Sequence, residues 1–420
     1  MTASPATPAT GSVLAIDFGT SNSAAAILDG GRIRRIHVEA GEETLPTAVF
    51  FPADSAEMLI GGAASEALIA GDEGRYMRAL KSVLGTALFH EKRLVGGKRR
   101  TLAEIVTSFL VAVRTRAEAE TGQRFTRALS GRPVHFHTAD AERDTRAEED
   151  LRGCYLAAGF EEVTFMFEPE AAALASLGDG DPGDMGLIVD IGGGTSDFTL
   201  FRAEGNGIAI LASHGIRLGG TDFDHAVSMT HAMPLLGLGG QLRRTLGEGL
   251  LPVPKPIYVD LSTWATIPFL YSPETRRAVA DMEAHAVEPV PMHRLATVIE
   301  DQLGHELAFA VEKGKIAANG PDRAGEIAMG MIEPGLAARV TAGSVNGALS
   351  EAREALRGAI YQTLMLAGVM PQQVSAVILV GGSSLMGLVQ EEAQAICPGA
   401  TLRRSEAFTA VVDGLALATA

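Results

Sequence analysis

Short apolar runs that end in glycine dominate the pattern of hydrophobic and polar positions along the chain. Residues 187–191 read LIVDI and lead directly into Gly192, Gly193 and Gly194. A short apolar run of this kind is typical of a strand that is buried on both faces. Apolar and polar residues alternate again after Thr195, so the pattern predicts a hairpin between two strands. Rossmann and Walker loops differ, because their glycines lead into a helix.

A second hairpin of the same design is predicted near the start of the chain. Residues 13–28 read VLAIDFGTSNSAAAIL, with Asp17 near the end of the first apolar run and Gly19 in the turn. Two such hairpins in one chain suggest a duplicated domain. Facing each other across a cleft, their backbone N–H groups would hold the phosphates of one nucleoside triphosphate. A single hairpin of this kind is also a common turn, so the interpretation depends on the pair.

A third apolar run, AVILV at residues 376–380, also predicts a buried strand. It ends in Gly381, Gly382 and Ser383, and a helix is predicted from about Leu385. A pair of glycines allows a flat and bulky group to lie against the backbone. We therefore interpret this turn as the nucleoside end of the same site.

Three further elements are predicted from local patterns. A helix begins at Thr101, because Glu104 stands three residues further on and apolar residues follow at helical spacing. A strand is expected near residues 133–137. A helix over residues 346–367 has apolar residues in phase and ends at Gly368.

Composition and charge exclude several classes of protein. The chain has 420 residues, 46% of them hydrophobic, which is enough to form more than one buried core. Its formal net charge of −16 gives no reason to expect nucleic acid or a membrane surface as a partner. We interpret residues 1–11, which are small and polar, as a flexible tail. With two cysteines and no apolar run of membrane-spanning length, a cytoplasmic location is expected.

Taken together, these motifs resemble the ATPase domain of the DnaK-type heat-shock protein 70 family, within the superfamily of actin, hexokinase and the heat-shock proteins. FEPEAAALAS at residues 167–176 and RLGGTDFD at residues 217–224 are similar to two other motifs of that family. GRPVHFH at residues 131–137 and MPLLGLGG at residues 233–240 are similar to its YegD-like subgroup, an ATPase domain without the peptide-binding domain. The resemblance covers residues 13–418, and we expect the chain to lack that peptide-binding domain.

The resemblance implies an α/β fold of the actin-like ATPase type, which is also ribonuclease H-like. Two similar lobes, each with a mixed sheet flanked by helices, would surround a central nucleotide cleft. Residues 12–186 would form lobe I, with a smaller subdomain at about residues 45–100. Residues 187–420 would form lobe II, with a smaller subdomain at about residues 222–333.

The resemblance also implies the residues of the site. The predicted catalytic residues are Asp17, Lys81, Glu168, Asp190, Thr195 and Asp197. The predicted nucleotide-binding residues are Gly19, Thr20, Ser21, Asn22, Gly192, Gly193, Gly194, Thr195, Gly219, Gly220, Thr221, Glu312, Lys315, Ile316, Asn319, Gly381, Gly382, Ser383 and Leu385.

Particular roles follow from the family and from charge. Lys81, in the segment MRALKSVLG, would touch the γ-phosphate, and Glu168 would help to hold water and metal where the lobes cross. Aspartates beside a polyphosphate repel it, so a divalent cation is required. Asp17 and Asp190 would hold Mg²⁺ largely through water, because Mg²⁺ prefers oxygen ligands and keeps most of its waters. Whether Asp197, Glu168 or Thr195 orients the attacking water stays open.

Two departures from the family pattern concern the base and the signal. In the family, two arginines sandwich the adenine, and the matching positions here are Ile316 and Leu385. Losing two cation–π contacts predicts nucleotide binding that is weaker by roughly tenfold to several hundredfold. Thr138 stands where the family has a proline that relays the nucleotide state to the peptide-binding domain.

The resemblance therefore implies a chaperone-family protein that binds ATP or ADP with Mg²⁺ and hydrolyses ATP slowly. Closure of its lobes would be read by an unidentified protein partner. Two alternatives remain: a metabolite kinase of the same superfamily, and a nucleotide sensor or filament former with little turnover. A kinase would need an aspartate base that faces an acceptor pocket, and no such motif is present outside the ATP site.

Overall fold

The computed structural model describes residues 13–39, 41–55, 57–137, 140–175, 183–204, 207–245, 247–320, 323–404 and 409–420. The predicted tail at residues 1–11 and Thr138 lie outside the described residues. The strands are β1 (Val13–Phe18), β2 (Asn22–Asp29), β3 (Arg32–Arg35), β4 (Thr44–Pro46), β5 (Ala48–Pro52), β6 (Leu59–Ile60), β7 (Gly74–Arg78), β8 (Arg93–Val95), β9 (Lys98–Arg100), β10 (Arg127–Arg132), β11 (Glu162–Phe167), β12 (Met185–Ile191), β13 (Ser196–Glu204), β14 (Gly207–Ile216), β15 (Gln241–Arg243), β16 (Leu250–Pro252), β17 (Ala324–Ala328), β18 (Ala337–Thr341), β19 (Ala376–Val380) and β20 (Thr401–Arg404).

Helices cover and connect these strands. They are α1 (Gly62–Ala70), α2 (Ala87–His90), α3 (Leu102–Thr121), α4 (Ala141–Ala157), α5 (Glu168–Ala175), α6 (Gly220–Val227), α7 (Pro256–Leu261), α8 (Pro273–His285), α9 (Pro289–Glu300), α10 (Gly304–Ala317), α11 (Ala342–Ala348), α12 (Ser350–Ala367), α13 (Gly387–Ile396) and α14 (Ala410–Leu417). In the described ranges, no helix combines the length and the apolar character needed to cross a bilayer.

The two larger sheets repeat one topology. The first has the strand order β11-β10-β1-β2-β3, and β4 also pairs with β2. The second has the order β14-β13-β12-β19-β20. In each sheet the central strand, β1 or β12, is antiparallel to the strand that follows it in the chain and parallel to the strand on its other side. This shared pattern agrees with the duplication that the two hairpins indicated.

Two helices lie between the sheets and join them. Ala171, Ala172 and Ala173 of α5 are fully buried in a small apolar cluster with residues of β1, β12 and α14. A Cβ atom on Gly414 of α14 would overlap the carbonyl oxygen of Ala171. Only glycine therefore allows α14 to approach α5 this closely.

Two of the predicted elements differ from the structure. Residues 133–137 do not form a strand, because β10 ends at Arg132 and the N–H of Val134 donates to Asp197 Oδ1 at 2.7 Å instead of to a neighbouring strand. The helix predicted over residues 346–367 is two helices, α11 and α12, which meet at Leu349. Leu349 is 1% exposed, and its burial in the core accompanies the break. The capping box of Thr101 and Glu104 is confirmed.

Replacing Gly414 with alanine should destabilise the protein through the contact of α14 with α5. Because the new Cβ would meet backbone, which has no rotamer to change, we expect the free energy of unfolding to fall by about 1–3 kcal/mol. Gly358 is the matched control, since it also lies inside a helix, α12, and a Cβ there would meet nothing within 4 Å. Gly358→Ala should raise the free energy of unfolding by about 0.5–1 kcal/mol. Denaturant unfolding measures both, and equal effects of the two substitutions would contradict the proposed contact.

Candidate functional site

A cavity of about 410 Å³ lies where the turns after β1, β12 and β19 meet, and its volume falls within the usual range for small-molecule sites. Most of the predicted site residues line it: Asp17, Gly19, Thr20, Ser21, Asn22, Lys81, Glu168, Asp190, Gly192, Gly193, Thr195, Glu312, Lys315, Ile316, Asn319, Gly381, Gly382, Ser383 and Leu385. The structure therefore brings together residues that are distant in the sequence. The lining also contains residues that the sequence analysis did not identify: Arg78, Val380, Met386 and Val411.

Five predicted site residues lie outside this lining. They are Gly194, Asp197, Gly219, Gly220 and Thr221. The N–H and the hydroxyl of Thr221 both donate to the carbonyl oxygen of Gly193 at 2.7 Å, and the N–H of Gly220 donates to Gly192 at 2.9 Å. Residues 219–221 thus contact the second hairpin turn and stabilise it through hydrogen bonds, without lining the cavity themselves.

The two hairpin turns touch each other. A Cβ on Gly193 would overlap Oγ of Ser21 and would lie 3.0 Å from Cβ of Thr20. A Cβ on Gly194 would lie 3.3 Å from Oγ1 of Thr20. Residues with side chains at these two positions would push the turns apart, so the glycines allow both turns to border one cavity.

The third turn comes equally close to the second. Gly381 has a φ angle of 80°, in the left-handed region that favours glycine. A Cβ there would lie 2.5 Å from the carbonyl oxygen of Ile191 and 2.8 Å from Oδ1 of Asp190. This contact places the turn after β19 beside the metal-binding candidate Asp190.

Lys81 is held inside the cavity by an unusual backbone conformation and by a carboxylate. It lies in a short 3₁₀ segment, Leu80–Val83, which follows Ala79 with φ of 59° and ψ of 33°. A non-glycine residue in this left-handed region is strained, and such residues cluster at functional sites. The ammonium nitrogen of Lys81 lies 2.5 Å from Oε1 of Glu168, and both side chains are almost completely buried.

Burial and neighbouring charges change the pKa values of the acidic residues. Burial, and then the charge of Glu168, raises the pKa of Asp190 to about 8 and that of Asp17 to about 7. The same causes raise the pKa of Asp197 well above its usual value. Burial alone would lower the pKa of Lys81, but the charges of Glu168 and Asp17 outweigh it and raise that pKa. Several buried carboxyl groups thus share one neighbouring ammonium group, that of Lys81, and its charge does not offset the burial of all of them.

This donor set fits a divalent cation that is held mainly through water. Asp17 and Asp190 offer oxygen ligands in a region of excess negative charge, which suits Mg²⁺. Among the described residues, no three His, Cys, Asp or Glu side chains are placed to hold a metal ion together. That Asp17 and Asp190 hold Mg²⁺, largely through water, stays a prediction.

At the other end of the cavity, the polar side chains are paired within the protein. Glu312 Oε2 lies 3.2 Å from Arg78 Nη1, and Lys315 Nζ lies 2.7 Å from Asp224 Oδ1. Asn319 donates to the carbonyl oxygen of Leu385 at 3.0 Å and accepts from the N–H of Gly387 at 2.8 Å.

Arg78 and Trp264 form a buried contact between β7 and the segment that connects α7 with α8. The guanidinium of Arg78, at the end of β7, lies 4.6 Å from the ring centre of Trp264, which stands between α7 and α8. Trp264 in turn donates through Nε1 to Asp224 at 3.2 Å. The sequence analysis missed this contact, because a lone arginine and a lone tryptophan have no periodic pattern that would relate them. In the local sequence, the one indication of a special role is that Trp264 lies in a proline-rich segment.

Comparisons with known proteins agree with the resemblance seen in the sequence. The family described as Hsp70 protein matches residues 13–95 and 91–234, together more than half of the chain. The chaperone protein DnaK of Methanothermobacter thermautotrophicus is 34% identical over 221 residues, which are 51% of this chain. The chain spans about a third of the length of this curated relative, 35%. The family match confirms the predicted α/β fold class, that of the actin-like ATPases, while assignment to the YegD-like subgroup stays a prediction.

The raised pKa of Asp190 predicts how stability changes with pH in the absence of metal and nucleotide. An unfolded aspartate titrates near about 3.9, so between that pH and about 8 the folded protein binds more protons than the unfolded chain. The stabilisation is therefore complete at low pH and is lost as the pH rises through the folded pKa. The midpoint of thermal unfolding should fall between about pH 6 and pH 9, and it should fall less in Asp190→Asn, because an amide does not ionise.

Asp29→Asn provides the control for this measurement, since Asp29 is an exposed carboxylate at the end of β2. It should keep the wild-type dependence on pH. If Asp190→Asn lost as much stability as the wild type over this range, Asp190 would not be the group that titrates.

Proposed function

Because this chain belongs to the Hsp70 protein family, we propose that it binds ATP with Mg²⁺ in the cavity and hydrolyses it slowly. The observation that carries the proposal is the direct contact of two glycine-rich turns, at residues 19–22 and 192–195, around one cavity that also contains Lys81. Turns from two sheets and a buried ammonium then line the same space. An anion with several charged groups in a row fits that arrangement.

The parts of the cavity divide between the parts of the ligand. The two turns would hold the phosphates through their N–H groups, and the turn at residues 381–383 would face the nucleoside. Asp17 and Asp190 would hold Mg²⁺, largely through water. When bound, the ion supplies positive charge to the phosphate oxygens that become more negative during hydrolysis.

The positions of Glu168, Thr195 and Asp197 relative to the cavity suggest which of them would orient the attacking water. Glu168 and Thr195 line the cavity, whereas Asp197 is 1% exposed and accepts from the N–H of Val134. We therefore assign the water to Glu168 and Thr195, and we assign to Asp197 the positioning of the loop that follows β10. Lys81 would stabilise the charge that develops on the phosphate. With positioned groups and no strong base, slow turnover is expected.

Movement of the lobes would connect the nucleotide to a partner. The crossing of α5 and α14 is close and apolar, which suits a hinge, and Arg78 with Trp264 connects β7 to the segment between α7 and α8. We propose that the lobes close on bound nucleotide and that a protein partner, still unidentified, reads this closure in the cytoplasm. The name of the similar protein, chaperone protein DnaK, supports a protein as the partner.

Phosphate release from Mg-ATP tests the catalytic assignment. Lys81→Ala should lower the rate of phosphate release by roughly 10²–10³-fold, because one preorganised charge on the transition state is lost. Lys92→Ala, which removes an exposed lysine, should release phosphate at the wild-type rate. Removal of Mg²⁺ with a chelator should stop release. Equal rates in the wild type and in Lys81→Ala would remove Lys81 from the reaction.

The same assay separates hydrolysis from transfer to a metabolite. The proposed hydrolase releases phosphate at a rate that sugars and small acids do not change. If one of these compounds were phosphorylated in place of water, the chain would be a metabolite kinase.

The one tryptophan of the chain reports on movement of the lobes. Trp264 is 1% exposed and carries the Arg78 guanidinium on its ring, so a shift of one lobe relative to the other should change its fluorescence. Saturating Mg-ATP should alter the emission of the wild type, and it should alter that of Arg78→Ala less. Arg93→Ala is the matched control, because Arg93 lies over Phe269 and not over Trp264. An emission that stayed constant while calorimetry recorded binding would rule out movement at this contact.

A further inference from the structure

Among the described residues at the proposed nucleoside end, the cavity offers apolar surface and few unpaired polar side chains. We infer that the site binds purine nucleotides without distinguishing adenine from guanine, an inference that rests on the proposed function. Adenine and guanine differ in the donors and acceptors on the edge of the ring, so a protein separates them through hydrogen bonds to that edge. Discrimination between the two bases therefore depends on which polar side chains could reach the edge of the ring.

Asn319 has the side chain best suited to read a base, and one N–H and the oxygen of its amide are already hydrogen-bonded within the protein. Its amide nitrogen donates to the carbonyl oxygen of Leu385 at 3.0 Å, and its amide oxygen accepts from the N–H of Gly387 at 2.8 Å. These two bonds join the end of α10 to the turn before α13. Asn319 is thus a positioning residue that holds the base-facing turn in place.

The charged side chains at this end are also paired. Lys315 is 6% exposed, and its ammonium lies 2.7 Å from the carboxylate of Asp224. Glu312 pairs with Arg78, whose guanidinium lies over the ring of Trp264. Breaking either pair to contact a base would leave a charge unpaired inside the protein, which is costly.

Ser383 also lines the cavity, and its hydroxyl lies beside a glycine that supports the second hairpin turn. Oγ of Ser383 lies directly against Gly220, because a Cβ on that glycine would overlap it. The N–H of Gly220 donates to the carbonyl oxygen of Gly192 in the second hairpin turn, so this hydroxyl lies beside the turn that would hold the phosphates.

The exposed side chains at the nucleoside end are aliphatic. Ile316 is 58% exposed and Leu385 is 36% exposed, and both line the cavity. Apolar side chains contact the face of a purine ring but form no hydrogen bond with its edge. Apolar pockets separate similar ligands weakly, whereas a hydrogen-bonding site rejects the analogue that lacks its partner by about 10⁴-fold or more.

Calorimetric titration of the wild type with Mg-ATP and, separately, with Mg-GTP tests the inference without any measurement of turnover. We expect the two dissociation constants to lie within about tenfold of each other, which is the weak discrimination of an apolar contact. A preference for ATP greater than about tenfold would overturn the inference and leave the proposed function intact. If neither nucleotide produced heat of binding, the proposed function itself would fail.

Two variants examine the residues named. Asn319→Ala should weaken the binding of Mg-ATP and Mg-GTP by the same factor, because both depend on the turn that Asn319 holds. A loss confined to one nucleotide would show that Asn319 reads the base, and the inference would be wrong. Leu385→Arg, with a guanidinium that stacks on either purine, should tighten both by about twofold to thirtyfold, with an unchanged ratio of the two constants.

Discussion

The burial of several carboxylates beside a single lysine is the constraint on which the rest of the structure depends. Glu168 lies 2.5 Å from Lys81, and burial together with the charge of Glu168 raises the pKa of both Asp17 and Asp190. One ammonium does not neutralise this group, so ionising all of the carboxylates destabilises the folded protein. A ligand that brings a cation with it relieves that cost, and a metal-bound triphosphate is such a ligand. The buried carboxylates that destabilise the folded protein when ionised would thus also favour binding of the proposed ligand.

Glycine is required where parts of the backbone must meet around that group. Gly193 allows the two hairpin turns to touch, and Gly381 allows the third turn to approach Asp190. Gly414 has the same effect further from the cavity, where α14 crosses α5 between the sheets. The repeated topology of the two sheets supplies two equivalent turns, and these glycines determine how closely the turns come together. A cavity lined by turns from both of the larger sheets results.

At the proposed nucleoside end of the cavity, the polar side chains differ in role, because they pair with other parts of the protein. Arg78 pairs with Glu312 and lies over Trp264, so residues from β7, from α10 and from the segment between α7 and α8 meet in one contact. The charges of Arg78 and Glu312 are thus paired with each other inside the protein. The exposed side chains that line this end, Ile316 and Leu385, are aliphatic, and they stand at the two positions where the family resemblance implies arginine.

The sequence by itself determined the features that depend on neighbours in the chain. The strand-turn-strand pattern around Asp17 and Asp190, the strand before Gly381 and the capping box at Thr101 are set by local periodicity and by glycine, and each was predicted correctly. The family resemblance added Lys81, whose role no local pattern indicates. Only the tertiary structure decided that Asp197 lies behind the cavity, that residues 133–137 form no strand, and that Arg78 meets Trp264. These features are contacts between residues far apart in the chain, and periodicity carries no information about which distant residue a side chain will meet.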